Sequence, residues 1–280
     1  VRALVKGLEI HGQIRRDLVL EENSLIVGAL VYMYARCNMI ELAKEVFNKP
    51  ALRDVTLWTT LIAGHVRNGC YEEAIDLFEK MLHEGHTPNA ATYSSILKAY
   101  GVIGTAEKGH TMFSEIDQCD FLKTDIVLAN SVLDMYAKTG FIEKAHNLFD
   151  KLPCRDLVSW NTMIASLADH GCADDALLLL GKMKEEGLNP NEVTFVSLVK
   201  GCKDLEEVRL MHDDAIKLGL ELSLRIRCSL VDLYVKCSSI SDAHYVFAKH
   251  PQDVAVFSTM VKGYVDHGLL KEANELYIDM

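Results

Sequence analysis

Val55-Thr-Leu-Trp-Thr-Thr-Leu-Ile62 returns 102 residues later as Leu157-Val-Ser-Trp-Asn-Thr-Met-Ile164, and 97 residues after that as Val254-Ala-Val-Phe-Ser-Thr-Met-Val261. A second motif keeps the same spacing. Tyr32-Met-Tyr-Ala-Arg-Cys37, Asp134-Met-Tyr-Ala-Lys-Thr139 and Asp232-Leu-Tyr-Val-Lys-Cys237 are offset by 102 and 98 residues. Self-similarity at a fixed period marks a repeat architecture.

Smaller repeats lie inside this period. A small residue is followed by apolar ones three, four and seven positions on at Ala74/Leu77/Phe78/Met81, Ala145/Leu148/Phe149/Leu152, Ala176/Leu179/Leu180/Met183 and Ala273/Leu276/Tyr277/Met280. Gly109 and Gly7 open two further copies, and Ala43 and Ala243 open shortened ones. Val208/Met211/His212/Ala215 is the poorest copy. That spacing is one face of a helix. Another helix precedes each, opening near Trp58, Tyr93, Trp160, Phe195 or Phe257, which read as core aromatics. Pro50, Pro88, Pro153, Pro190 and Pro251 fall where apolar-periodic runs end, as helix interiors require.

The chain therefore divides into helix-turn-helix hairpins of 30–36 residues: 24–54, 55–89, 90–125, 126–156, 157–191, 192–223 and 224–253, with partial repeats at 1–23 and 254–280. Repeat 192–223 lacks about three residues before Met211. One hairpin cannot bury its apolar face alone, but stacked hairpins can. The expected fold is all-α, a right-handed α-solenoid with a concave groove, formed by one array over 1–280.

Composition narrows the function. Apolar residues make up 49% of 280, enough for a continuous core. No stretch of about 18 apolar residues is present, so no membrane-spanning helix or membrane partner is expected. The chain starts at Val1, and any targeting segment is expected to lie outside it. None of the eight cysteines forms a Cys-x-x-Cys pair, and they are expected to be reduced and mostly buried. No histidine precedes a glutamate by two residues, so the zinc-deaminase signature is absent, as is a phosphate loop. His65, His110, His146, His170, His212, His244 and His267 recur at repeat-related places and read as packing or surface residues. No catalytic residue, metal, cofactor or small-molecule substrate is assigned.

The repeat lengths cycle as 31, 35, 36, then 31, 35, 32, then 30, unlike the regular 34 of tetratricopeptide repeats. Full-length repeats end Met81-Leu-His-Glu-Gly-His-Thr-Pro-Asn89 and Met183-Lys-Glu-Glu-Gly-Leu-Asn-Pro-Asn191, and a short one ends Phe149-Asp-Lys-Leu-Pro-Cys-Arg-Asp156. In these features the chain resembles the pentatricopeptide repeat (PPR) family, in its PLS subclass of alternating standard, longer and shorter repeats. The resemblance implies sequence-specific binding of single-stranded organellar RNA in plants, one base per repeat. It further implies a role in specifying cytidine-to-uridine editing sites, in a mitochondrion or chloroplast. Editing-complex proteins would act through a C-terminal extension outside the chain.

In the family the fifth and last residues of a repeat contact one base. Carried over, Thr59 with Asn89 favours adenine, Asn130 with Asp156 favours uracil, and Asn161 with Asn191 favours pyrimidines. Ser94 with Asp125 is a weaker reader in a long repeat, and Ser258 lacks its partner. Gly28/Asp54, Val196/Ser223 and Cys228/Asp253 depart from the pattern and receive no base. Val127 and Val158, second in their repeats, would pack against neighbouring bases. The expected target is 5′-A-N-U-Y-3′.

A formal charge of −11 runs against a basic RNA footprint. Glu41, Glu72, Glu73, Glu143, Asp174, Asp175, Asp242 and Glu272 account for part of it. They are expected in the first turns of second helices, where acids complement the helix end. The alternative is a protein- or peptide-binding scaffold of the tetratricopeptide type, whose acidic groove would suit a basic peptide.

Overall fold

The computed structural model describes residues 2–14, 16, 23–50, 53–118, 124–202, 204–250 and 252–278. Among these, seventeen α-helices and one 3-10 turn occur, with no strand. The chain divides into two compact units, Val1–Cys154 and Arg155–Met280.

The first compact unit holds α1 (Arg2–Ile14), α2 (Ser24–Arg36), α3 (Ile40–Phe47), α4 (Val55–Arg67), α5 (Tyr71–His83), α6 (Ala90–Ile103), α7 (Ala106–Gln118), α8 (Ile126–Lys138) and α9 (Ile142–Lys151). The first helices of its repeats, α2, α4, α6 and α8, pack in series. The second helices α3, α5 and α7 each wedge between two of them. In the second unit α10 (Leu157–Asp169), α12 (Glu192–Gly201), α14 (Leu224–Lys236) and α16 (Val254–Asp266) form the same series. Their second helices are α11 (Ala173–Glu185), α13 (Leu205–Lys217), α15 (Ile240–Ala248) and α17 (Leu270–Ile278). Each unit is an all-α stack of helical hairpins.

Local sequence explains where helices start. The side chains of Asn23, Asp54, Asn89, Asp125, Asp156 and Asn191 accept backbone N–H bonds at the starts of α2, α4, α6, α8, α10 and α12. Such a cap is worth about 1 kcal/mol over alanine. Turning back to the second helix takes a left-handed residue fifteenth in the repeat, met by glycine at Gly69, Gly104, Gly140, Gly171 and Gly268. Asn38 and Ser238 hold that place in two short repeats.

The core matches the apolar spacing. Trp58, Tyr93, Trp160, Phe195 and Phe257 are buried, and so are Ala43, Ala74, Ala145, Ala176 and Ala243. Gly64 lets α2 and α4 approach closely, since a Cβ there would lie 2.7 Å from that of Ala35. The shortfall in repeat 192–223 falls in α12, which has ten residues where its neighbour α10 has thirteen. Pro50, Pro88, Pro153 and Pro190 lie outside helices. Pro251, Cys119 and Met280 lie outside the described residues. Near the C-terminus Tyr277 and Ile278 are exposed.

The cysteines depart from expectation. All seven described are free, but Cys154 is exposed and the other six are half-buried rather than buried. Cys37, Cys70, Cys172 and Cys237 sit in the turns between paired helices, off the apolar face. Among the described residues no helix is long and apolar enough to cross a membrane, and no group of three or more His, Cys, Asp or Glu could hold a metal ion.

Candidate nucleic-acid interface

The last residue of a repeat stands at the N-cap position of the next first helix, and the fifth residue lies one turn inside its own first helix. Both therefore stand at the N-terminal ends of stacked first helices. In repeat 55–89 the Asn89 Oδ1 accepts the Thr92 N–H at 2.9 Å. The Thr92 hydroxyl lies 3.0 Å from Asn89 Oδ1 and 2.7 Å from Thr59 Oγ1. Thr59 donates its own proton to the Val55 carbonyl at 2.7 Å.

Repeat 157–191 repeats the geometry with an amide in fifth place. Asn191 Oδ1 accepts the Thr194 N–H at 3.1 Å, and Asn161 Nδ2 donates to the same oxygen at 3.3 Å. The Thr194 hydroxyl lies 2.6 Å from Asn161 Oδ1. The structure thus brings Thr59 together with Asn89, and Asn161 together with Asn191.

Asn130 is a buried residue of α8 in the first compact unit. In the second, Asp156 caps α10, accepting the Ser159 N–H at 2.9 Å and the Ser159 hydroxyl at 3.0 Å. Asp125 caps α8 by accepting the Val127 and Leu128 N–H groups, both at 3.0 Å, and Ser94 is half-buried on α6. Ser258 is exposed on α16 and turns its hydroxyl onto the Val254 carbonyl at 2.7 Å.

Val127 and Val158 are not core residues: they are 66% and 55% exposed. Leu25 and Val193 hold the same second position and are also exposed, two sites that sequence reasoning passed over. It also missed Arg36 and Arg67, the last residues of α2 and α4. Arg36 donates to the Tyr32 hydroxyl at 3.0 Å, and the two guanidinium groups lie 5.7 and 5.8 Å from the Tyr32 ring centre. With Thr59 they line a pocket of about 200 Å³. Lys138 and Lys236 end their first helices too, paired at 2.6 Å with Asp134 and Asp232. The acids Glu41, Glu72, Glu73, Glu143, Asp174, Asp175, Asp242 and Glu272 do open second helices.

Together these positions present amides (Asn89, Asn161, Asn191), hydroxyls (Thr59, Ser258) and carboxylates (Asp125, Asp156) beside the exposed Val127 and Val158, groups of the kind that contact base edges and faces. The chain matches the PPR repeat family over residues 53–101 and 155–204, and the PPR repeat over 127–157 and 255–280. It belongs to the pentatricopeptide repeat family. A pentatricopeptide repeat-containing protein of Arabidopsis thaliana is 33% identical, with 100% of this chain and 44% of that protein covered. A chloroplastic relative from the same plant is 31% identical (100% and 46% covered), and a mitochondrial one 32% (97% and 43% covered). The chain thus spans less than half the length of these relatives. Among solved structures, pentatricopeptide repeat protein PPR10 in complex with an 18-nucleotide psaJ RNA element superposes with a TM-score of 0.75 at 20% identity, covering 97% of this chain and 41% of that one. This likeness shows the fold, an all-α repeat solenoid. As an array of pentatricopeptide repeats, these 280 residues are not an enzyme.

Proposed function

We propose that the chain binds single-stranded RNA, reading one base per repeat, as part of a longer organellar RNA-processing protein of the PLS subclass that specifies cytidine-to-uridine editing sites. The observation that carries the reading is the joining of Asn161 to Asn191, and of Thr59 to Asn89 through Thr92, at the ends of adjacent first helices. Further support comes from PPR10, whose structure holds RNA, and from relatives named as chloroplastic or mitochondrial.

With Oδ1 facing the helix end, the Nδ2 of Asn89 and of Asn191 turns outward, able to donate to a base edge. Val158 supplies apolar contact beside Asn161, and Arg36 and Arg67 offer positive charge near Thr59. The deamination itself would come from elsewhere in the protein or from editing partners.

The test is an equilibrium titration at low salt with three oligonucleotides: an RNA carrying A-N-U-Y, the same RNA with its uracil replaced, and the matching DNA. Tighter binding to the first, lost in Asn130→Val, is expected. Equal binding to all three, while a lysine-rich peptide binds well, overturns the RNA reading in favour of a peptide scaffold.

A further inference from the structure

The two reader networks share a member from outside the reading repeat. Thr92 and Thr194 are each the third residue of the following repeat. Their side chains are fully buried, yet each hydroxyl lies between the fifth and the last residue of the repeat before it. Ser159 holds the same place behind Asp156, equally buried, with its hydroxyl 3.0 Å from the cap oxygen.

The distribution of this hydroxyl follows the readers. Third residues after the three repeats given a firm base are Thr92, Ser159 and Thr194. After the remaining complete repeats they are Leu57, Leu128, Ile226 and Val256. Helix capping does not require the hydroxyl, since Asp54 and Asp125 cap α4 and α8 with leucine in third place.

A hydroxyl has one proton to donate. At Thr194 the acceptors in reach are Asn161 Oδ1 at 2.6 Å and Asn191 Oδ1 at 3.1 Å, and the latter already takes the Thr194 N–H. The proton therefore goes to Asn161. That bond points the carbonyl of Asn161 into the protein and leaves its Nδ2 to bridge Asn191 and face outward. At Thr92 the shorter contact is again to the fifth residue. Thr59 has given its proton to Val55, so Thr92 donates and Thr59 is held by both neighbours.

Resting on the RNA-reading proposal, we infer that the third residue of the following repeat, namely Thr92 and Thr194, is a positioning residue of the base reader. Its buried hydroxyl fixes which polar atom of the fifth residue faces the base, while its backbone N–H holds the last residue. Each reader is then a three-residue device spanning two repeats, and its selectivity depends on a side chain that touches no base.

Thr194→Val removes the hydroxyl at nearly constant shape, and Thr194→Ser keeps it. Binding of the full chain is measured to RNAs carrying U, C, A or G opposite repeat 157–191, with circular dichroism checking the fold. The expected result is that wild type and Thr194→Ser prefer pyrimidines, while Thr194→Val loses about fivefold of that preference, the scale of one hydrogen bond. Preference for adenine opposite repeat 55–89 stays unchanged in Thr194→Val and falls in Thr92→Val. A structural role alone would weaken all four RNAs equally. That outcome, or full pyrimidine preference in Thr194→Val, overturns the inference and leaves the RNA reading standing. Absence of preference in wild type overturns the RNA reading itself, and this inference with it.

Discussion

Repeats 157–191 and 224–253 lie in the same compact unit and use one backbone plan for opposite ends. In the first, Trp160 fills the fourth position of the first helix, and Asn191 caps the next helix while joining Asn161. In the second, Arg227 stands where the tryptophan would be, buried and paired with Asp253. Asp253 makes no side-chain cap to α16. Asp253 is thus engaged by a buried charge instead of by the start of the next helix. The last residues of the other two repeats that depart from the pattern also bond polar side chains. Ser223 donates to Glu192 at 2.7 Å rather than capping α14. Asp54 uses one oxygen as a cap and takes the Ser24 hydroxyl on the other at 2.5 Å, a bond that lowers its pKa.

The contrast breaks hardest at the fourth position. Trp160→Ala is expected to cost about 3–5 kcal/mol, the scale for deleting a buried aromatic ring, read as a lower urea midpoint. Arg227→Ala should cost about 3 kcal/mol, because it strands the Asp253 charge. The double change Arg227→Phe with Asp253→Asn should recover most of that loss, since Arg227 Nε is buried without a partner and an aromatic suits this place elsewhere. A double variant no more stable than Arg227→Ala would show that the pair, not the repeat plan, shapes this hairpin.

These two repeats also show what a linear sequence reveals. The apolar spacing and the aromatic near each first-helix start appear within a dozen residues, so the hairpins and their core were readable. The shortened α12 was readable as residues missing before Met211. The fifth and last residues could be located because each lies on a repeating place; their pairing with bases came only from the family resemblance. The buried hydroxyl was not readable, because Thr194 belongs to the next repeat and looks like an ordinary capping-box residue. Arg36 and Arg67 look isolated in sequence, yet packing of α2 on α4 brings both to the Tyr32 ring. Arg227 and Asp253 meet by the same route. The cysteines misled because an apolar scale reports residue type, whereas their turn positions decide exposure.

A middle-sized effect, a loss of stability in acid, is expected in both compact units. His65 in the first is fully buried with Nδ1 against the Leu61 carbonyl at 2.8 Å. His212 in the second is buried with Nδ1 2.9 Å from the Tyr234 hydroxyl, whose own pKa burial pushes up to about 12. Burial lowers both imidazole pKa values below 6.5. Above 6.5 the imidazoles are neutral whether folded or unfolded, and they impose no penalty. As pH falls below 6.5 the unfolded chain binds protons that the folded one refuses, so stability drops. The melting temperature should fall between pH 7.5 and 5.5. His65→Phe and His212→Phe should each flatten that slope, and an unchanged slope in both would assign it to other groups.

The smallest effect lies at the turn between paired helices. Gly171 in repeat 157–191 and Ser238 in repeat 224–253 hold the same left-handed place, at φ of 77° and 59°. A side chain pays roughly 1–2 kcal/mol for that conformation. Glycine avoids the cost but gives the unfolded chain more freedom, which returns about 0.4–1 kcal/mol. Ser238→Gly should therefore stabilise by only about 0.5 kcal/mol. Gly171→Ala should destabilise by a similar amount, and by backbone strain alone, since a Cβ at Gly171 meets nothing within 4 Å. Opposite signs of equal size would show that the two turns are energetically the same. The difference between a reading and a non-reading repeat would then reside in the fourth and last residues and not in the hairpin that carries them.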